Sequence, residues 1–145
     1  CCCTPLFDAI GKTVKTLKKK IADVEDAAVL VTIITDGYEN SSKEWDSKGV
    51  CKLIEECKEE GWMFSFIGAG EDVVKVATTI SITNTMVWEN TSEGTAKMFE
   101  DENEARFRFC ERWEDEMVEC CNMPMSVEDK KSLRKKLASK YYKKD

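Results

Sequence analysis

The spacing of hydrophobic positions changes several times along the chain and divides it into alternating helices and strands. Apolar residues recur every three or four positions from Leu6 to Ile21, which is typical of one face of a helix. The apolar run from Ala28 to Ile34 is short, nearly continuous and rich in β-branched residues, as in a strand buried on both faces of a parallel sheet. The two patterns then alternate downstream. This order predicts an α/β fold.

Turn and capping residues set the expected bounds of these elements. Thr4 is expected at the N-cap of a first helix over residues 5–21, with Pro5 at its first position. Gly61 is expected to end the second helix. Further helices are predicted over residues 43–60, 72–79 and 92–121, and further strands over residues 62–67 and 85–88.

The alternation predicts a Rossmann-like three-layer sandwich with a parallel sheet, helices on both faces and right-handed crossovers. Ala28 to Ile34 is expected to be the central strand. The long helix over residues 92–121 is expected to pack against the sheet through a set of apolar residues, namely Phe99, Phe107, Cys110, Trp113 and Met117.

Residues 122–145 form a predicted basic helical tail beyond a body that covers residues 1–121. Pro124 interrupts the pattern, and Ser126 with Asp129 resembles a capping box that opens a last helix reaching about Tyr142. Leu133, Leu137 and Tyr141 share one face of this helix among lysines. We expect this stripe to pack on the acidic body, and docking on a membrane or an acidic partner is the alternative.

Charge and composition limit the function classes. Hydrophobic residues make up 42% of the chain and charged residues 34%, as in an ordinary globular protein. The net charge is -6, although the tail is basic, so the body is strongly acidic. An acidic body argues against nucleic acid as a partner, because phosphate binding requires a cationic face.

The eight cysteines show no metal-ligand spacing, and the chain has no histidine. Reduced thiols, several of them buried, are the expected state. No membrane span or signal-peptide pattern is present, so a cytoplasmic location without membrane attachment is expected. The chain starts at Cys1 rather than at a methionine, and we expect it to be a fragment.

Two loops that follow strands lie where a doubly wound sheet binds its ligands, outside the carboxyl ends of the strands. These loops are Thr35 to Ser42 and Gly68 to Asp72. Thr4, at the start of the first helix, belongs to the same edge and is expected near Asp36. A hydroxyl and a carboxylate suit a hard cation such as Mg²⁺ or Mn²⁺. Structural roles, as a helix cap and as a loop residue, are the alternative for both.

Three segments closely resemble the von Willebrand factor A-type (VWA) domain, in its bacterial and phage members. Two of these, Thr4 to Ile10 and Val31 to Ser42, are similar to the second and third segments of the family's metal-ion-dependent adhesion site (MIDAS). The third, Gly61 to Asp72, is similar to the strand and loop that come next. The resemblance covers roughly residues 4–90 and implies a non-enzymatic module that binds an acidic residue of a protein partner through Mg²⁺ or Mn²⁺.

Carried over residue by residue, the resemblance makes Thr4 and Asp36 the metal ligands. Gly37 would let the backbone pass close to the metal, and Asp8 and Asn40 would support the site. The family's first segment, an Asp-x-Ser-x-Ser loop, is absent from this chain. We therefore expect the carboxy-terminal part of such a domain, incomplete at its N-terminus, with weak or no cation binding. An open sheet edge would favour self-association.

A nucleotide- or phosphate-binding enzyme that uses the loop Gly68 to Gly70 is the main alternative function, because glycine-rich turns before helices bind phosphate. The loop lacks both the G-x-G-x-x-G pattern and a Walker lysine. Catalysis by a cysteine is weaker still, since no histidine is present to act as a base.

Overall fold

The computed structural model describes residues 3–24, 27–119 and 125–143, which form five helices and three strands. The helices are α1 (Leu6–Lys20), α2 (Ser47–Glu59), α3 (Glu71–Thr79), α4 (Ser92–Glu119) and α5 (Val127–Ala138). The strands are β1 (Leu30–Thr35), β2 (Met63–Ala69) and β3 (Asn84–Trp88). The predicted order of helices and strands is therefore correct. No helix among the described residues has the length and apolar character needed to cross a membrane.

The three strands form a parallel sheet in the order β1-β2-β3. The predicted central position of β1 is wrong within this chain, because β2 lies between the other two strands. The burial of the strands agrees with this order: β2 is buried along nearly its whole length, whereas β1 and β3 are partly exposed. Within the described residues, nothing pairs with the outer edge of β1.

Helices cover both faces of the sheet. Side chains of α1, α2 and α3 pack with Ile33, Phe64 and Phe66 in the larger core cluster. The smaller cluster joins Met63 to α4, α5 and the following turn. The chain crosses the sheet in one direction, from β1 to β2 to β3. When parallel crossovers in one direction have the usual right hand, their helices lie on the same face, and α2 and α3 do share a face. The helices on the other face, α4 and α5, follow β3 in the sequence.

The first two helices begin later than the sequence predicts. The N-cap of α1 is Pro5 rather than Thr4, and no side chain caps the helix. The predicted start of α2 at Lys43 is also wrong, since Asp46 is the N-cap and its carboxylate accepts a hydrogen bond from the amide of Gly49. The end of α2 follows the prediction: Gly61 has φ of +88°, and the amide of Trp62 donates to Cys57 O in a Schellman arrangement.

The long helix α4 packs on the sheet through a face other than the predicted one. Ala105 and Phe109 lie in the smaller core cluster, and Met98 and Glu102 are buried beside them. Three residues of the predicted face are exposed instead, namely Phe99, Phe107 and Cys110. Trp113, which the sequence placed on that face, packs partly buried against the smaller cluster.

The basic tail packs on the sheet through α5. Leu133, Leu137 and Tyr141 are buried in the smaller core cluster, as the expected packing on the body requires. The predicted capping box is present, since Ser126 Oγ accepts from the Asp129 amide and the Asp129 carboxylate accepts from the Ser126 amide. The helix ends at Ala138 rather than near Tyr142. Pro124 and the proposed boundary at 121/122 lie outside the described residues.

Candidate functional site

The backbone of Thr4 is fixed by the loop that follows β1. Its backbone amide donates to Asn40 Oδ1 at 2.8 Å, and the backbone amide of Asn40 donates back to Thr4 O at 3.3 Å. The carbonyl of Thr4 also accepts from the Leu6 amide at 2.9 Å. These bonds join the start of α1 to the end of β1, although the two segments are far apart in the sequence. The expected proximity of Thr4 to this loop is therefore present.

Gly37 is the point of closest approach between the loop and Thr4. A Cβ atom at this position would lie 3.0 Å from Thr4 Oγ1, which leaves little room for a side chain. Thr35, at the end of β1, holds the turn: its hydroxyl donates to Gly37 O at 2.9 Å and accepts from the Gly37 amide at 3.2 Å. A local threonine turn thus presses the loop against the Thr4 hydroxyl.

The Asp36 carboxylate projects from this turn and is exposed. Among the described residues it has no hydrogen-bond or ion-pair partner. Asp36 and Thr4 line one open depression of about 450 Å³ together with a mainly apolar set of residues, namely Pro5, Leu6, Ala9, Ile34, Thr35 and Trp88. The Asp36 carboxylate and the Thr4 hydroxyl therefore belong to the lining of one depression at the carboxyl edge of the sheet.

Asp8 anchors the next part of the loop. It is buried, and its carboxylate accepts from the amides of Lys43, Glu44 and Trp45 at 3.0, 2.9 and 2.9 Å. These bonds, led by the one from Lys43, hold the pKa of Asp8 below its usual value against the opposing effect of burial. They also explain why α2 cannot begin at Lys43, since the amides of residues 43–45 are directed at Asp8. Both carboxylate oxygens are engaged in holding the loop.

Glu39 is a second anchor, and the sequence interpretation missed it. Its carboxylate accepts from the Phe7 amide at 2.7 Å, from the Ser42 amide at 2.8 Å and from the Ser42 hydroxyl at 2.7 Å. Burial raises the pKa of Glu39, but these hydrogen bonds outweigh it, and the pKa lies below its usual value. The only signal in the sequence was a loop rich in residues that bond to backbone amides.

The second glycine loop meets the N-terminus of α3. Gly70 is the N-cap with φ of +102°, and the first turn carries Glu71 and Asp72. Asp72 forms an ion pair with Lys75. A Cβ atom at Gly68 would lie 2.9 Å from the side chain of Val74, so this glycine allows close packing of helix on strand. Two acidic residues at the helix start oppose the binding of a phosphate group.

The described cysteines are free thiols in different surroundings. Cys57 is buried, and burial raises its pKa to about 11. Cys3 and Cys110 are exposed, and Cys51 is half-buried. Among the described residues, no group of three or more Cys, Asp or Glu side chains is arranged to hold a metal ion. Thr4 and Asp36 supply only one hydroxyl and one carboxylate, so they do not form such a group.

Comparisons with known proteins give no family for the chain. No protein-family model matches it, and neither the curated proteins nor the solved structures contain a significant match.

Proposed function

We propose that this chain is the carboxy-terminal part of a VWA-like module that binds a protein partner through a divalent cation and catalyses no reaction. The observation that carries the proposal is that hydrogen bonds fix Thr4 and the loop after β1 to each other. The Thr4 hydroxyl and the Asp36 carboxylate, which has no partner among the described residues, then line the same depression. Asp8, Glu39 and Asn40 hold this arrangement with their own polar groups engaged. The site is therefore rigid before any ligand arrives.

The two proposed ligands are of the type that a hard cation binds, but two ligands are too few for tight binding. Mg²⁺ and Mn²⁺ prefer oxygen ligands, and Mg²⁺ takes six. Thr4 and Asp36 would supply one oxygen each, with Gly37 leaving space at the turn. When bound, the cation would offer an open coordination position to an acidic side chain of the partner. Cation binding by this chain alone should be no tighter than about millimolar, because water must fill the remaining positions.

The outer edge of β1 is where the missing ligands would come from. A further parallel strand paired with β1 would end at the same edge of the sheet as Thr35, because parallel strands share their carboxyl ends. A loop of the Asp-x-Ser-x-Ser type after that strand would then approach Asp36. The edge strand Leu30–Thr35 has no lysine, proline or bulge to protect it, so self-association through this edge is also expected.

A titration with Mn²⁺ tests this function. The chain with an Asp-x-Ser-x-Ser segment restored upstream is titrated by calorimetry, alongside its Asp36→Ala and Thr4→Ala variants. We expect each substitution to weaken Mn²⁺ affinity by about tenfold or more. Asp72→Ala serves as a matched control, because Asp72 is exposed and follows a strand at the same edge. Equal affinity in all four proteins would refute the assignment of Thr4 and Asp36.

A further inference from the structure

Helix α4 has a second apolar face, opposite the one that packs on the sheet. Phe99 is 50% exposed, Phe107 65% and Val118 67%, whereas Ala105 and Phe109 are buried on the inner side. Isolated apolar residues are normal on a protein surface, but three large ones on the same side of one helix are not. Phe99 and Phe107 belong to the face that the sequence predicted as the core side of α4.

The exposed face is a regular stripe. Its seven positions follow one another in steps of three, four and four residues, and all are exposed. Five are apolar or cysteine, namely Ala96, Phe99, Phe107, Cys110 and Val118, and two are polar, Asn103 and Glu114. Residues 11 apart on a helix differ by only about 20° in direction, so this stripe runs nearly parallel to the helix axis. It is about 33 Å long at 1.5 Å per residue. We name it the α4 stripe.

A row of acidic residues borders the α4 stripe on one side. Its members are all exposed and repeat with the same period of 11 residues: Glu93, Glu100, Glu104, Glu111 and Asp115. The sequence of α4 contains ten acidic and four basic residues. An antiparallel pair of α4 helices from two copies of this chain would set the two acidic rows against each other, which disfavours that arrangement. A basic partner would be attracted.

We propose that the α4 stripe binds a partner protein through an amphipathic helix whose apolar stripe is bordered by lysine and arginine. The partner helix packs lengthwise on α4, with Phe99 and Phe107 as anchors and the acidic row paired with its basic border. The two phenylalanines carry the affinity, and the charges select the partner. This surface lies on a different element from Thr4 and Asp36, so the proposal stands without the cation site.

The test uses the full chain and a synthetic helical probe. The probe is a fluorescein-labelled peptide of about 23 residues, which matches the length of the α4 stripe, with leucines in steps of three, four and four and lysines along one border. Fluorescence anisotropy measures its affinity. We expect Phe99→Ser combined with Phe107→Ser to weaken binding by about tenfold or more. Val127→Ser is the control, since Val127 is 74% exposed on α5 and should not affect binding.

Charge is tested separately, so that the result does not depend on one variant. Glu100→Lys combined with Glu111→Lys should weaken binding of the lysine peptide, and a peptide with glutamates in place of the lysines should bind about tenfold less tightly. Circular dichroism verifies that each variant is folded. The proposal is overturned if the serine variant binds as well as the parent, or if both peptides bind equally or not at all. Self-association that the serine variant abolishes would also overturn it, since a second copy would then be the occupant.

Discussion

Thr32 on β1 donates a 2.7 Å hydrogen bond to Glu102 on α4, which joins the sheet to the helix through a carboxylate that is only 3% exposed. The same carboxylate accepts from the hydroxyls of Tyr141 at 2.9 Å and Tyr142 at 2.7 Å. Ser65 on β2 extends the network by donating to Thr32 Oγ1 at 3.1 Å. Burial and the neighbouring Glu102 carboxylate both raise the pKa of the two tyrosines, so their hydroxyls stay protonated and donate hydrogen bonds.

Removing the Glu102 carboxylate should destabilise the protein strongly. Glu102→Ala leaves the hydroxyls of Thr32, Tyr141 and Tyr142 without their acceptor in a buried site, which should lower the free energy of unfolding by about 2 to 4 kcal/mol. Urea denaturation measures the loss. Glu104→Ala is the matched control on the same helix, because Glu104 is exposed and its contact with Arg108 is a surface ion pair. Equal losses in the two variants would contradict the role of the network.

Glu102 also explains why the sequence predicted the wrong face of α4. Glu102 lies in a run of polar residues, from Glu100 to Glu104, and such a residue is normally placed on the solvent side, since an unpaired buried carboxylate is costly. Its partners Thr32, Tyr141 and Tyr142 are distant in sequence, so their hydrogen bonds could not be anticipated. The periodicity of Phe99, Phe107 and Cys110 then favoured the opposite face. The sheet position of β1 was misjudged because apolar character does not distinguish a central strand from an uncovered edge.

The candidate site was predictable only in outline. The alternation of helices and strands and the sharing of carboxyl ends by parallel strands place Thr4 and Asp36 at one edge, and the structure has them there. The bonds that fix the loop were not predictable, because Asp8 and Glu39 act on backbone amides whose positions depend on the folded loop. The late start of α2 has the same cause.

Gly11 packs against Trp45 so closely that a methyl group cannot fit. A Cβ atom at Gly11 would lie 2.2 Å from the Trp45 ring. Alanine favours a helix over glycine by about 1 kcal/mol, but the clash should outweigh this gain, and Gly11→Ala should destabilise by about 1 to 3 kcal/mol. In a Trp45→Ala background the same change should be neutral or stabilising. Thermal unfolding of the four proteins measures this reversal, and an unchanged sign in both backgrounds would disprove the contact.

Asp8 should make stability depend on acidic pH. Its pKa is lower in the folded than in the unfolded protein, so its contribution is present above the unfolded pKa near 3.8 and is lost as the pH falls through the folded value. Asp8→Asn should therefore lower the free energy of unfolding at about pH 6. It should also reduce the loss of stability between about pH 6 and about pH 3. Urea midpoints at the two pH values measure the difference. Asp23→Asn, at an exposed position, is the control for the loss of one carboxylate.

The capping box of α5 should contribute measurably to stability. Ser126→Ala removes the acceptor of the Asp129 amide and should cost about 1 kcal/mol. Ser132→Ala is the control, because Ser132 is exposed within the same helix, where alanine is slightly favoured. Urea denaturation compares the two variants. A loss at Ser132 as large as that at Ser126 would show that the cap is not responsible.

We propose that Thr4 and the loop around Asp36 form part of one cation site, and paramagnetic broadening in the isolated chain tests this most directly. Sub-stoichiometric Mn²⁺ is added to isotope-labelled protein, and amide signals are followed by NMR, which detects binding even in the millimolar range. The amides of Thr4, Asp36 and Gly37 should broaden first, and Asp36→Ala should remove the effect. Broadening that begins along the acidic row of α4, or that persists unchanged in Asp36→Ala, would contradict the claim.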